Sequence, residues 1–168
     1  MTVSQDIIPL TIGIKNIRIN YVLIKEDLFK ESPMEVEMAV TQTTTFKSIN
    51  ESGIFLISMS FRYVETRQEI FVISVVNEFF LGGLGKLTLD DKMFTMPFDT
   101  LIACLSMSLS HTRAFIPQLI SNTVFKDQIA LPIFNPLKIT QELYPDFMAQ
   151  KSTQEVLQKK RPAKRITK

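Results

Sequence analysis

The two side chains best suited to nucleophilic chemistry are the single cysteine, Cys104, and the single histidine, His111, seven positions apart in a predicted helix. A thiolate nucleophile needs a base within hydrogen-bonding distance. Seven helical residues span about 10 Å along the axis, so the two side chains share a face but do not meet. We interpret Cys104 as a packed thiol and His111 as an imidazole on the polar face. Neither is expected to have a chemical partner.

Two other patterns are typical of phosphate or metal sites, and each is incomplete. The glycine-rich segment 82–86 follows a predicted strand, as a phosphate-binding loop would. However, Phe80 and Leu87 stand where a Walker motif requires Gly and then Ser or Thr. Asp90 and Asp91 have no third acid or histidine at metal-ligand spacing. We therefore predict no catalytic residues, no metal and no cofactor, and hence a protein that is not an enzyme.

The composition is that of a folded chain with room for one domain. The chain has 168 residues, of which 45% are hydrophobic and 21% charged, enough to bury a core. A single cysteine excludes an intrachain disulfide and fits a reducing compartment. The N-terminus lacks the pattern of a secretory signal, and no apolar run approaches ~20 residues. We expect a cytoplasmic protein without membrane insertion.

The net charge of +2 conceals two oppositely charged parts. Residues 159–168 carry six basic side chains and no acid, which leaves residues 1–158 with a net charge of −4. We predict a single domain over residues 1–158, followed by a basic, disordered tail over residues 159–168.

Alternating apolar residues predict four strands, over residues 12–24, 34–46, 54–64 and 69–81. Short turns join the last three strands, which favours an antiparallel meander. In the first strand we expect Ile17, Ile19, Tyr21 and Leu23 on one face. The fourth strand is apolar on both faces, so we expect both of its faces to be covered.

One long and one shorter helix are predicted after the strands. The long helix extends from about Pro97 to Asn122. Its apolar stripe must cover the sheet. The members of the stripe are Phe98, Leu101, Ile102, Leu105, Leu109, Ile116, Leu119 and Ile120. Thr140 is expected to cap the shorter helix, after a loop over residues 126–138. The predicted fold class is therefore α+β, a four-stranded antiparallel sheet with one long and one shorter C-terminal helix.

The face of the long helix opposite to that stripe carries small, neutral side chains. Arg113 is the one charged residue between positions 100 and 125, whereas an exposed helix face normally carries several charges. Such a face is expected to pack against another helix, either in a second copy or in the chain's own C-terminal helix. The candidate oligomer-interface residues are Ala103, Ser106, Met107, Ser110 and Ala114, and Cys104 and His111 fall on the same face.

Several segments resemble the SecB family of protein-export chaperones. Arg113, Ile116, Ile120, Ser121 and Phe125, followed by Leu131 and Pro132, are similar to the end of that family's long helix and the loop after it. Residues 34–40 and 69–75 look like the family's second and fourth strands. The resemblance covers residues 12–157 in the order of the elements, with sparse residue identity.

This resemblance implies an ATP-independent holdase chaperone, assembled as a dimer of dimers, that holds unfolded polypeptides in apolar grooves. Family members serve protein export through the translocase motor SecA, or serve toxin–antitoxin systems. Phe and Met supply apolar area without a fixed hydrogen-bond geometry, which suits varied clients. The predicted client-binding residues are Phe29, Val36, Met38, Val40, Phe46 and Phe71, of which Phe71 matches an aromatic residue of the family's groove.

Three departures from the family concern its export role. Ser74 stands where export members have an acidic residue directed toward SecA, and Ser32 stands where an aromatic residue is usual. The acidic C-terminal tail of those members is replaced here by a basic one. These departures weaken the expectation of hand-off to SecA more than that of client binding, and either SecA or an antitoxin remains a candidate partner.

Two other functions fit parts of the same sequence. A nucleic-acid-associated protein would contact phosphates through residues 159–168. The acidic body has no interleaved aromatic and basic residues, so we do not expect nucleic-acid binding. A structural or immunity-type protein would instead use the sheet as a fixed interface for one partner. Binding of many unfolded chains, as opposed to one folded partner, would distinguish the chaperone from this alternative.

Overall fold

The computed structural model describes residues 11–28, 35–47, 51–83, 98–127, 129, 131 and 135–144. The chain divides into two units, Met1–Phe134 and Asn135–Lys168. Among the described residues, the first unit contains four strands, a short 3-10 helix (Glu26–Leu28) and a long α-helix, and the second contains one short α-helix. This confirms the predicted α+β class. The basic segment 159–168 and the client-binding candidate Phe29 lie outside the described residues.

The four strands form one antiparallel sheet. They are β1 (Thr11–Ile24), β2 (Val36–Lys47), β3 (Ser52–Tyr63) and β4 (Glu69–Gly82), arranged in the order β1-β4-β3-β2. The last three form the predicted meander, and β1 pairs with the far side of β4. The two central strands are therefore β4 and β3. The expectation that both faces of β4 are covered is met on one side only: on the other side Val72 and Val76 are half-buried and Phe80 is 44% exposed.

One side of the central strands forms the core. The odd-numbered residues of β3 from Phe55 to Tyr63 are buried, as their alternation predicted. They are in register with odd-numbered residues of β4, so the two rows share one side of the sheet. Aromatic pairs fill this layer: the ring centroids of Phe55 and Phe79 are 5.6 Å apart, and those of Phe61 and Phe71 are 5.7 Å apart.

Two bulges keep the apolar residues of β1 on this same side. The pairing of β1 with β4 shifts by one residue after Ile14 and again after Ile19. Each extra residue reverses the alternation. The residues in register with the buried row of β4 are consequently Ile12, Ile14, Ile17, Ile19, Val22 and Ile24. The predicted placement of Tyr21 and Leu23 with Ile17 and Ile19 is wrong, because the second bulge turns Tyr21 and Leu23 to the opposite side.

The long helix α1 (Phe98–Ile120) packs on β4 and β3 and reaches β1. Its predicted stripe is buried at Leu101, Leu105, Leu109, Ile116 and Ile120. Cys104, Ser108 and Thr112 are buried as well, so the assignment of Cys104 to the opposite face is wrong. The hydroxyls of Ser108 and Thr112 donate to the carbonyls of Cys104 and Ser108 at 2.7 and 2.9 Å. These bonds satisfy polar groups inside the contact.

The short helix α2 (Pro136–Leu143) begins earlier than predicted. The side-chain oxygen of Asn135 accepts hydrogen bonds from the N–H groups of Leu137 and Lys138 at 3.1 and 3.2 Å. Pro136 occupies the first helical position, where its missing N–H costs nothing. The predicted cap, Thr140, lies inside the helix and donates to the carbonyl of Pro136 at 2.7 Å. The helix therefore begins after the Asn135-Pro136 pair and not at Thr140.

Candidate functional site

Four of the predicted client-binding residues share one side of the edge strand β2. They stand opposite Tyr63, Phe61, Met59 and Gly53, which all belong to the buried side of β3. Their own side chains are only half-buried, because they extend beyond the two central strands on which α1 chiefly packs. We call this set, Val36, Met38, Val40 and Phe46, the β2 apolar surface.

Phe46 lies at one end of the β2 apolar surface, above a glycine. Its ring centroid is 5.8 Å from that of Phe55, in an edge-on arrangement. A Cβ atom at Gly53 would lie 3.2 Å from Cε1 of Phe46 and 2.8 Å from Cδ1 of Leu81. The missing side chain of Gly53 therefore lets Phe46 pack down against the sheet.

The β2 apolar surface carries no charge. The even-numbered residues of β2 from Val36 to Phe46 are all uncharged. Glu37 belongs to the other side of the strand, where its carboxylate accepts hydrogen bonds from Arg62 and Arg67. The hydrogen bond from Arg67, assisted by Arg62, lowers the pKa of Glu37. A ligand of the β2 apolar surface would thus be recognised by its apolar side chains and not by its charge.

Phe71, the remaining described candidate for client binding, lies in the core. It is 0% exposed and stands opposite Phe61 in the β3–β4 pairing. A polypeptide could reach it only if the elements that cover it moved away. In this conformation the described client-binding candidates that remain accessible are those of the β2 apolar surface.

The predicted interface residues lie on the part of α1 that the sheet leaves uncovered. Ala103, Ser106 and Met107 are half-buried, and Ser110 and Ala114 are exposed. We call these five residues the neutral surface of α1. The one charge in the middle of the helix, Arg113, donates to the carbonyl of Leu131 at 3.1 Å. Its guanidinium is therefore engaged with the segment that follows the helix.

An unforeseen polar pair links α1 to the core of the sheet. Nδ1 of His111 lies 2.8 Å from Oδ1 of Asn77, which is 0% exposed on β4. Burial lowers the pKa of His111, because the charged imidazolium loses solvation there. The expectation that His111 has no partner is thus wrong. The signal in the sequence was Asn77 itself, since a polar residue on the core side of an apolar strand requires a hydrogen-bonding partner.

Cys104 has none of the properties of a nucleophile. Its side chain is 0% exposed, and burial raises the pKa of the thiol to about 12. His111, the one imidazole in the chain, is bonded to Asn77. Within the described part of the chain, no group of three or more His, Cys, Asp or Glu residues could hold a metal ion. No helix in that part is long and apolar enough to cross a membrane.

Ser74, the position where the family resemblance leads one to expect an acidic residue, lies on the side of the sheet opposite to α1. Its hydroxyl is hydrogen-bonded to that of Ser58 on β3, and the residue is 6% exposed. The position thus holds a paired, nearly buried hydroxyl where the resemblance would place a charge.

No protein-family model matches the chain, and no curated protein matches its sequence. Among solved structures, the chain is similar to the SecB-like chaperone of Mycobacterium tuberculosis in complex with a ChAD peptide from the HigA1 antitoxin. The similarity covers 73% of this chain and 90% of that chain, at 13% sequence identity and a TM-score of 0.48. What the present chain binds must therefore be inferred from its own residues.

Proposed function

We propose that this chain is a cytoplasmic, SecB-like holdase chaperone that binds unfolded polypeptides without catalysis or ATP. The observation that carries the proposal is the row of Val36, Met38 and Val40, three half-buried apolar side chains in succession on one side of an edge strand. Adjoining apolar side chains of this kind are a common feature of binding surfaces. Met38, at the centre, has a flexible side chain that can pack against clients of different shape.

The free energy available from one such surface is small. Covering the exposed part of these three apolar side chains supplies about 3 kcal/mol at ~25 cal/mol per Å². That corresponds to a dissociation constant of millimolar order. Firm holding of a client therefore requires several surfaces acting on one chain. This supports assembly of the protein, for which the neutral surface of α1 is the proposed interface and a dimer of dimers the proposed form.

The contacts of Ser74 favour a role that does not depend on SecA. An uncharged hydroxyl paired with Ser58 cannot replace the carboxylate that export members direct toward SecA. A role in a toxin–antitoxin system therefore fits the described residues better than a role in export. In such a system the bound client would be an antitoxin.

Suppression of aggregation tests the binding surface. The wild type should slow aggregation of an unfolding client, and Met38→Ser should weaken this effect severalfold because it removes the central apolar contact. The control is Ala39→Ser, which places the same hydroxyl on the other side of β2. A wild type without any effect would disprove the chaperone, and a folded Met38→Ser variant that holds clients as the wild type does would disprove the site. Capture of one folded partner alone would favour the fixed-interface alternative.

Light scattering tests the assembly. We expect a multiple of the 19.3 kDa monomer mass for the wild type. Ala103→Glu should reduce that mass, because it buries an unpaired carboxylate in the neutral surface of α1. Asn122→Glu adds the same charge just beyond the helix and should leave the mass unchanged. A monomeric wild type, or an Ala103→Glu variant of unchanged mass, would show that this surface is not the interface.

A further inference from the structure

We propose that His111 makes assembly through the neutral surface of α1 sensitive to pH, so that acidification favours the separated chains. This inference rests on the proposed assembly. His111 belongs both to the core and to the edge of that surface. One ring nitrogen is hydrogen-bonded to the buried Asn77. On the helix, the positions four before and three after His111 are Met107 and Ala114, and residues at these spacings are neighbours.

The bonding of Asn77 determines where a proton can be added. Oδ1 of Asn77 faces Nδ1 of His111 at 2.8 Å, and the amide nitrogen of Asn77 lies 3.5 Å from the carbonyl of Val75. Oδ1 can only accept, and Nδ1 of His111 must therefore carry the hydrogen. The neutral ring then has its free electron pair on Nε2, on the side of the ring away from Asn77. Protonation adds the proton to Nε2, keeps the bond to Asn77 and makes the whole ring positively charged.

In the described part of the sheet, no carboxylate on the side of Asn77 is positioned to balance that charge. The neighbours of Asn77 on the same side of β4 are Val75 and Phe79, and its partners on β1 and β3 are Ile17 and Phe55. The charged residues at this level lie on the opposite side of the sheet. They are Glu78, which is paired with Lys15 at 2.8 Å, and Arg18.

The helix offers no compensating charge either. Between Asp99 in its first turn and Ile120 at its end, Arg113 is the one charged residue of α1. It is a cation, and its guanidinium is bonded to Leu131. Within the described strands and α1, no carboxylate balances a proton on His111, which therefore adds a positive charge beside the neutral surface of α1.

The sign of the effect follows from solvation. Burial already lowers the pKa of His111 in the single chain. Assembly that covers Nε2 would remove more water and lower the pKa further, so the separated chain binds the proton more tightly. The assembly is therefore most stable at a pH above the pKa that His111 has in the separated chain. Its stability decreases as the pH falls below that pKa. When a symmetric pair dissociates, its two His111 side chains take up two protons. The dissociation constant of the pair therefore rises by up to about 100-fold for each pH unit by which the pH falls.

The test measures the mass of the full chain between about pH 7.5 and about pH 5.5, a range in which ordinary carboxylates stay ionised. The wild type should be assembled at the upper limit and lose mass toward the lower one. His111→Asn can still donate an N–H to Asn77 but does not titrate, so it should stay assembled throughout. His111→Lys carries a permanent charge and should have the lower mass at both limits.

Each outcome has a definite meaning. A wild type that is monomeric at about pH 7.5 overturns the proposed assembly together with this inference. An assembled wild type whose mass does not change with pH overturns this inference alone, as does a His111→Asn variant that dissociates in parallel. If His111→Asn fails to fold, the imidazole signals of wild-type His111, the one histidine of the chain, supply the same test. Their titration midpoint should be lower in concentrated than in dilute protein, and equal midpoints would refute the switch.

Discussion

Replacement of Phe71 by Ala should destabilise the fold, because the side chain is completely covered. Phe71 is 0% exposed, pairs with Phe61 and Ile24 across two strand contacts, and has the ring of Phe61 at 5.7 Å. Truncation of a buried Phe removes its transfer free energy and leaves a cavity, at a cost of about 3–5 kcal/mol. The total free energy of unfolding of a domain is about 5–15 kcal/mol. At about 2–4 °C per kcal/mol, the Tm should fall by about 6–20 °C.

Urea denaturation followed by far-ultraviolet circular dichroism measures this loss. The matched control is Val72→Ala, at the next position on the other side of β4, where the half-buried side chain should cost only about 1 kcal/mol. Phe71→Leu keeps the site apolar, so it should lose less stability than Phe71→Ala and retain client holding. A Phe71→Ala variant as stable as the wild type but unable to hold clients would refute the burial argument. That result would mean that Phe71 belongs to the client-binding surface.

Three further predictions concern a close contact, a helix cap and the thiol. Gly53→Ala should destabilise the fold by about 1–3 kcal/mol in urea denaturation, because its Cβ would lie 2.8 Å from Cδ1 of the buried Leu81; unchanged stability would mean that Leu81 can move aside. Asn135→Ala should cost α2 about 1 kcal/mol and accelerate hydrogen exchange of its two capped amides, whereas Asn135→Asp should not. Cys104, whose pKa burial raises to about 12, should react with a thiol reagent at about pH 8 only after unfolding; rapid reaction of the folded chain would contradict its burial.

Local periodicity determined the elements that the sequence predicted correctly. Alternation in β3 identified its buried row, because successive side chains of a strand point to opposite sides whatever the partner strand is. The stripe of α1 was predicted for the same reason, with the helical period. Short turns likewise joined β2, β3 and β4 into a meander. The absence of a cysteine–histidine dyad also follows from spacing along one helix, and needs no knowledge of the sheet.

Only the tertiary structure decided how the residues of distant elements meet. The two bulges of β1 depend on its register with β4, a strand more than 40 residues later. The pairing of Asn77 with His111, 34 positions apart, depends on how α1 is rotated on the sheet. The same rotation buries Cys104 and exposes Ser110. A pattern of apolar residues shows that a side chain needs cover but not which element supplies it. For this reason Phe71 and Met38, similar in the sequence, became a core residue and a surface residue.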